Sequence, residues 1–275
     1  MKSLMKSETV NEWIDFHKKM KIPFTITLST YTTRIQSKLC DHYFMKTEQP
    51  NRVFAGFNQL KNDVQKIKIK KIKVENLQYY AHGFHTDQFY SDVIYNVDIN
   101  SAYVTILYND GFISRKTFNY IRKLPKMERL ATVGMLASKK NVFEIDEKGE
   151  IISEKVIVSE TSDYFFYCVK RTSELMAFLQ KHLGPAFLFS WVDGIYFLQE
   201  DQSSKKPGRI IQEYLQEIGY NSKFEKLTEF EVTGYPDYYN VKYIKQGKRK
   251  FMNVPKYDNT IVRKITNHLL TKDYN

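Results

Sequence analysis

The sequence predicts a mixed α+β fold in which helices cover one face of a largely antiparallel sheet. Three features indicate this class: apolar segments with the two-residue period of strands, hairpins marked by turns that contain glycine, and amphipathic helical stretches between them. No repeat or low-complexity linker interrupts this order. The 275 residues are enough for one or two domains with a substantial core.

The amino-terminal part of the sequence has the patterns of a helix, a strand and a second helical stretch. Residues 7–21 have an amphipathic pattern with Ser7 as the N-cap. The β-branched segment PFTITLSTYTT predicts a strand that leads into a helical stretch near residues 33–44. Residues 65–76 alternate Lys with Ile, which predicts a half-exposed strand. Its lysines would either bind successive phosphates of a nucleic acid or protect the edge of a sheet from pairing with another strand. The pattern does not decide between the two.

From residue 77 the predicted elements follow one another closely. Pro125 opens one of the helices, at the position where proline fits best, and a Gly-Pro pair ends another. Hairpins are predicted around Lys148-Gly149 and Asp193-Gly194. In chain order the segments are a strand (DVIYNVDI), two helices (SRKTFNYIRK and PKMERLATVGMLASKK), a hairpin (NVFEIDEKGEIISEKVIV), a helix (DYFFYCVKRTSELMAFLQKHL), a hairpin (AFLFSWVDGIYFLQE), a helix (GRIIQEYLQEIGY) and two strand segments (FEKLTEFEVTGY and YYNVKYIKQGKRKFMNV).

Basic residues outnumber acidic ones in the composition. Lys and Arg number 42 against 31 Asp and Glu, for a formal net charge of +11. This balance favours a polyanionic partner, with nucleic acid ahead of a membrane surface, although a lysine-rich solvated surface gives the same total. Cys40 and Cys168 match no metal-ligand or redox spacing, and no segment has the length of a membrane span or the pattern of a signal peptide. We therefore expect a cytoplasmic protein without a membrane partner.

Two aspartates occur within apolar strand sequence. Asp98 lies at the end of YNVDI, and Asp193 lies in WVDGIYF. A buried carboxylate costs several kcal/mol unless it is paired or binds a cation. Taken singly, Asp98 is explained by a helix N-cap and Asp193 by a type I′ Asp-Gly turn. Taken together, two acidic residues on neighbouring hairpins of one sheet favour a divalent metal site that serves phosphoryl transfer.

Four short motifs occur in an order that resembles the family B DNA polymerases. DINSAY is similar to the first polymerase motif, KMERLATVG to the second and WVDGIYF to the third. Upstream, YYAHGF resembles the Tyr-x-Gly-Gly signature of the protein-primed phage and plasmid branch. The resemblance extends over residues 77–255 and implies a polymerase palm with small two-helix fingers.

The resemblance implies a role for each matching residue. Asp98 and Asp193 would be catalytic and would bind metal together with the backbone carbonyl of Ile99. Tyr103 would pack under the sugar and exclude a 2′-hydroxyl, and Lys126 would hold the incoming triphosphate. The other implied nucleotide contacts are Ser101, Ala102 and Arg122, and the implied DNA contacts are Tyr80, His82, Gly83, Lys248, Arg249, Lys250 and Phe251.

The motifs depart from the family pattern at several positions. Trp191 stands where the third motif usually has its first aspartate, which is not a metal ligand, and Gly194 replaces a common serine. Leu130 replaces the asparagine of the second motif, and His82 replaces one glycine of the upstream signature. Two alternatives to an active polymerase are therefore open: a non-catalytic DNA-binding replication or defence factor on a degenerate polymerase fold, and a primase.

The implied activity is the template-directed addition of dNTPs to a 3′ end, with two Mg²⁺ ions, or Mn²⁺, as cofactors. The implied partners are a DNA primer-template, dNTPs and a processivity, exonuclease or priming protein, in the replication of a phage or mobile element. The predicted domains are an N-terminal basic α/β segment (1–76) too short for an exonuclease, the palm (77–112 and 139–215), the fingers (113–138) and a thumb-like region (216–275).

Overall fold

The fold is α+β with antiparallel sheets, which confirms the predicted class. The chain forms two compact units, one of residues 1–68 and 119–163 and the other of residues 69–118 and 164–275. The computed structural model describes residues 4–5, 8–45, 51–72, 80–199 and 206–256.

Helices and strands account for most of the described chain. The strands are β1 (Leu4–Met5), β2 (Phe24–Leu28), β3 (Thr32–Ser37), β4 (Asp41–Met45), β5 (Tyr80–His82), β6 (Gln88–Ile99), β7 (Lys139–Ile145), β8 (Ile151–Val158), β9 (Phe187–Trp191), β10 (Gly194–Phe197), β11 (Ser222–Gly234), β12 (Tyr238–Lys245) and β13 (Lys248–Pro255). The helices are α1 (Glu8–Lys19), α2 (Asn51–Val64), α3 (Ala102–Asn109), α4 (Arg115–Arg122), α5 (Lys126–Gly134), α6 (Ser162–Leu183) and α7 (Pro207–Glu217). Among the described helices, none is both long and apolar enough to cross a membrane.

The first unit contains a six-stranded sheet with the order β1-β4-β3-β2-β7-β8. Its strands pair antiparallel, except β1 with β4. The buried side chains of Phe24, Ile35, Phe44 and Ile145 form a core against which Trp13 of α1 packs. The amphipathic helix predicted near the amino terminus therefore covers the apolar face of this sheet.

The second unit contains a seven-stranded antiparallel sheet with the order β13-β12-β11-β6-β10-β9-β5. β6 is its central strand, and residues 94–97 of β6 are all buried, as the apolar segment there predicts. Phe189 and Phe230 are fully buried and stack in the core with ring centroids 6.2 Å apart. This core holds β6 between β10 and β11, and the end of β6 carries Asp98.

The helical prediction for residues 33–44 is wrong. This segment forms most of the hairpin of β3 and β4, and β3 also pairs with β2. Along β3, Thr33 and Ile35 are buried, whereas Arg34 between them is partly exposed and Gln36 is exposed. This alternation is the two-residue period of a strand. Pairing with strands on both sides outweighs the weak local helix pattern.

The strand prediction for residues 65–76 is also wrong within the described residues. Residues 65–72 form a turn and an irregular segment after α2. The backbone amides of Gln65, Lys66 and Ile67 donate to carbonyls in the last turn of α2, so they cannot also donate to a neighbouring strand. Residues 73–76 lie outside the described part of the chain.

The unit boundaries differ from the predicted domains in two places. The hairpin of β7 and β8, predicted as palm, pairs with β2 in the sheet of the first unit. Strands β11 to β13, predicted as a thumb-like region, extend the sheet that contains β6. In both cases the pairing partner is distant in the sequence, and local patterns do not identify it. Two helices, α4 and α5, lie within residues 113–138, where two were predicted.

The close approach of α7 to β11 gives a test of the packing beside β6. Gly208 is buried in α7, and a Cβ atom there would lie 2.2 Å from Cε2 of Phe224. The ring of Phe224 in turn stacks on Tyr95 of β6 at 5.3 Å. Gly208→Ala must displace the ring or the helix, and we expect it to lower the free energy of unfolding by about 1–3 kcal/mol.

Gly134→Ala is the matched control, because outside its own helix no described atom lies within 4 Å of a Cβ atom at that position. We expect this change to leave stability unaltered or to raise it by up to about 1 kcal/mol. Urea denaturation followed by circular dichroism measures both variants. Equal stability of Gly208→Ala and the wild type would contradict the described packing of α7.

Candidate active site

The two aspartates predicted as metal ligands lie at adjoining ends of paired strands. β6 and β10 run antiparallel, with Asp98 directly opposite Gly194. The backbone N–H of Ile99 donates a hydrogen bond to the carbonyl of Asp193 over 2.9 Å. Asp98 follows the buried part of β6, and the β9–β10 hairpin brings Asp193 to the same end of the sheet.

The β9–β10 hairpin turns one residue earlier than predicted. Val192 and Asp193 form the turn, and Gly194 begins β10 opposite Trp191. A type I′ turn needs positive φ at both central residues, but of these two only Val192 is positive, at 52°. The Asp-Gly type I′ interpretation is therefore wrong. Positive φ costs a residue with a side chain roughly 1–2 kcal/mol, and such strain is found at functional sites more often than elsewhere.

Asp98 is not a helix N-cap, so the simpler interpretation of this residue is also wrong. The next helix, α3, begins at Ala102 and has Ser101 as its N-cap residue, with a φ of 57°. Asp98 stays on β6, next to the almost fully buried Ile99. The capping explanation of Asp98 therefore does not apply, whereas Asp193 is still a turn residue, in a Val-Asp turn.

Gly194 leaves space on one flank of Asp98. Oδ1 of Asp98 and Nδ2 of Asn96 each lie 3.4 Å from the position that a Cβ atom of Gly194 would take. The Asn96 amide donates to the carbonyl of Ile195 over 3.2 Å, which fixes it beside the carboxylate. Asp98 itself is half-buried.

A charged cluster on the other flank of Asp98 was missed by the sequence analysis. Lys223 of β11 is the residue directly opposite Asp98. Its ammonium group pairs with Oε1 of Glu225, and Lys245 of β12 pairs with Oε2 of the same carboxylate. The Glu225 side chain is 7% exposed, so a buried carboxylate is held between two lysines. The sequence signal was a Lys and a Glu two residues apart, on one face of a strand whose register was unknown.

The electrostatics of this cluster keep Glu225 ionised. Burial alone would raise the pKa of the Glu225 carboxyl, but hydrogen bonds and charges from Lys223 and Lys245 outweigh it and lower the pKa. On β10, burial raises the pKa of Tyr196 well above its usual value, and Tyr243 and Asp98 add to this shift. The Tyr196 hydroxyl therefore stays protonated beside these carboxylates.

Tyr103 lies in the first turn of α3. Its ring meets that of Phe165 edge-on, with centroids 5.4 Å apart, and packs against the buried Phe166 and Val169 of α6. The neighbouring Ala102 is buried and anchors the turn. The Tyr103 ring is thus held in place while remaining partly exposed, which suits the sugar contact that the motif predicts.

Lys126 and Arg122, the expected phosphate contacts, belong to the first unit. Lys126 is the first residue of α5 and Arg122 is the last of α4, and both side chains are exposed. Arg52 of α2 holds α5 through an ion pair with Glu128 at 2.5 Å. The two cations therefore lie on a supported helix pair and are accessible to an anion.

The side chain of Tyr80 is not available to contact a template, contrary to the expectation. Tyr80 lies in β5 and is 2% exposed, and its hydroxyl donates to the carbonyl of Pro255. The N–H of Gly83 donates to the carbonyl of Leu188 over 2.7 Å. In this segment only His82 and its immediate neighbours are partly exposed. These contacts hold β5 and the glycine that follows it against the rest of the sheet.

The basic segment that was predicted to contact DNA forms an exposed sheet edge. Lys248, Arg249, Lys250 and Phe251 begin β13, the outermost strand, and all four are exposed. Phe251, Arg249 and Tyr90 line a surface groove of about 510 Å³. Aromatic rings among cations are typical of surfaces that bind single-stranded nucleic acid.

The donor atoms at the end of β6 fit a divalent cation that prefers oxygen ligands. Asp98 and Asp193 supply two carboxylates, and Mg²⁺ is commonly held by one or two carboxylates together with water and substrate phosphates. Within the ranges that the structure describes, no group of three or more His, Cys, Asp or Glu side chains is placed to hold a metal ion. A site of the two-carboxylate kind takes its remaining ligands from water and substrate.

Neither a protein-family model nor a curated protein matches the chain. The function is therefore inferred from the geometry at the ends of β6 and β10 and from the motifs in the sequence.

The space beside Gly194 determines which side chains this position can accept without loss of stability. The atoms nearest to a Cβ atom here lie at ordinary van der Waals distance, 3.4 Å. We expect Gly194→Ser to keep the free energy of unfolding within about 1 kcal/mol of the wild type. Gly194→Leu should lower it by about 1–3 kcal/mol, because the larger side chain must displace Asp98 and Asn96.

Chemical denaturation of the two variants in parallel measures the difference. A Gly194→Ser chain that unfolds as readily as Gly194→Leu would contradict the described approach of the Asp98 carboxylate to β10.

Proposed function

We propose that this chain is a template-directed DNA polymerase that adds dNTPs to a 3′ end by two-metal-ion nucleotidyl transfer. The observation that carries the proposal is the meeting of Asp98 and Asp193 at the adjoining ends of β6 and β10. Each aspartate lies in a segment that resembles a family B polymerase motif. Asp98 does not cap a helix, and Asp193 is the second residue of a Val-Asp turn, not the first residue of the expected Asp-Gly turn.

Asp98 and Asp193 would hold Mg²⁺ with the help of the Ile99 carbonyl. Such ions activate an attacking hydroxyl and neutralise the charge that develops on phosphate oxygens. The contribution of the chain is to fix Asp98 on β6 and Asp193 in the turn that leads into β10, and the backbone hydrogen bond from Ile99 to Asp193 limits how far these two segments can move apart.

Cationic side chains would bind the other charged groups of the substrates. Lys126 and Arg122 are exposed on α4 and α5 and would bind the triphosphate of the incoming nucleotide. The exposed cations at the start of β13 would bind the phosphates of the DNA strand. The net charge of +11 supports a polyanionic substrate.

Primer extension on a DNA template tests the catalytic claim. We expect incorporation of dNTPs that requires Mg²⁺ or Mn²⁺ and that falls by at least about 10²-fold in Asp98→Asn and in Asp193→Asn. The reason is that each change removes the charge of a metal ligand. DNA affinity should change little in the same variants, because it depends mainly on phosphate contacts to Lys and Arg.

Asp92→Asn is the matched control, since Asp92 is an exposed aspartate on the same strand that accepts a hydrogen bond from Tyr90. It should retain full extension. A wild-type chain that binds the primer-template but fails to extend it, whichever divalent cation is supplied, would be a non-catalytic DNA-binding factor. Synthesis that needs no primer would make the chain a primase.

The choice between dNTP and rNTP tests the role of Tyr103. A ring beneath the incoming sugar occupies the volume of a 2′-hydroxyl, so selectivity arises from steric exclusion. Tyr103→Val should therefore raise rNTP incorporation relative to dNTP incorporation by at least about tenfold. The ratio of kcat/KM for the two substrates on one primed template measures this change.

Tyr103→Phe keeps the ring and its contact with Phe165, so it should keep the discrimination. The competing interpretation is that Tyr103 only fills the core. In that case Tyr103→Val would lower the free energy of unfolding by about 3–5 kcal/mol and would reduce the incorporation of both substrates equally.

A further inference from the structure

The lysine opposite Asp98 is placed where it could compete with a cation. Lys223 and Asp98 are direct partners in the β6–β11 ladder. Direct partners in an antiparallel pair point to the same face of the sheet, with Cβ atoms roughly 4.5–5.5 Å apart. The flexible stem of a lysine is long enough to bring its ammonium group to a carboxylate at that distance.

The ammonium group of Lys223 is instead bound by Glu225. Glu225 lies on β11 opposite Asn96, two pairs further from the end of the sheet than Lys223, and therefore on the same face. Its carboxylate pairs with Lys223 through one oxygen and with Lys245 through the other. The Glu225 side chain is 7% exposed and that of Lys223 is 52% exposed. The buried carboxylate is therefore the fixed partner, and the lysine is the one that adapts.

A buried ion pair of this kind is a weak source of stability, because removing charged groups from water costs about as much as their attraction returns. Its position gives it a second effect. An ammonium group bound to Asp98 would occupy the oxygen atoms that a divalent cation needs and would repel the cation, and this repulsion grows as the charges approach.

We propose that Glu225 is a positioning residue for the cation site: it binds the ammonium group of Lys223 and so prevents Lys223 from competing with a divalent cation for the Asp98 carboxylate. Glu225 acts through Lys223 and contacts neither the cation nor the substrate. The inference rests on the proposed function, because the cation concerned is the one that nucleotidyl transfer would use.

Mn²⁺ binding to the full chain without DNA or nucleotide tests this role, with free Mn²⁺ followed by electron paramagnetic resonance. Glu225→Gln keeps the shape of the side chain but releases Lys223, and we expect it to weaken Mn²⁺ binding by at least about threefold. The double variant Glu225→Gln/Lys223→Met lacks the released ammonium group and should regain at least the wild-type affinity. Unchanged binding in Glu225→Gln, or a double variant as weak as the single one, would overturn the role of Glu225.

Glu231→Gln and Lys242→Met are matched controls, because this pair also joins β11 to β12, at 3.8 Å, but lies toward the other end of β11. Both should bind Mn²⁺ as the wild type does. Asp98→Asn separates the two levels of the inference. Unweakened Mn²⁺ binding in Asp98→Asn would refute the cation site itself, whereas weakened binding there with no effect of Glu225→Gln would refute the positioning role alone.

Thermal melting shows whether Glu225→Gln folds, since it leaves two lysines beside an uncharged buried group. If it does not fold, Lys223→Met decides the matter, because Glu225 keeps its pair with Lys245 in that variant. Equal or tighter Mn²⁺ binding in Lys223→Met supports the proposal. Weaker binding would show that Lys223 assists the cation and would overturn it.

Discussion

The antiparallel pairing of β6 with β10 is the constraint on which the candidate site depends. β6 is the central strand of its sheet, and residues 94–97 are all buried before Asp98 appears opposite Gly194. A shift of the register by one residue would turn every side chain of the strand to the other face. It would therefore bury Asp98 in place of an apolar residue and break the bond from Ile99 to Asp193. The apolar core and the two carboxylates are thus fixed by one hydrogen-bonded ladder.

Features that oppose stability gather at the end of this ladder. Val192, in the turn before β10, and Ser101, before α3, both have positive φ, and Glu225 is an ionised group with a nearly buried side chain. Positive φ also occurs elsewhere in this sheet, at Glu229 of β11, beside an irregularity in the register with β12, and at Gln246 in the turn before β13. Local rules tend to be broken at functional sites, where the surrounding structure holds the strained residues in place. The position of these features agrees with a site at the ends of β6 and β10.

The sequence was sufficient for the fold class, for most of the helices and for the position of Asp98 at the end of a strand and of Asp193 in a hairpin, because their signals are local. The sequence was insufficient wherever the structure of a segment depends on a partner that is distant along the chain. Residues 33–44 became strands by pairing with β2, and the β7–β8 hairpin joined the sheet of the first unit for the same reason. Lys223 and Glu225 matter only through their register with β6, which no local pattern contains. Tyr80 matched a motif, but its burial depends on contacts with residues far along the chain, such as Pro255.

The most direct measurement is the anomalous diffraction of manganese in crystals of the chain with a primer-template, a non-hydrolysable dNTP analogue and Mn²⁺. We expect manganese between the carboxylates of Asp98 and Asp193, in contact with the triphosphate of the analogue. Ligands of this kind, two carboxylates and substrate phosphates, are the ones that two-metal nucleotidyl transfer requires. Manganese bound only elsewhere, with the nucleotide in place and both carboxylates turned away from it, would contradict the assignment of this end of the sheet as a polymerase active site.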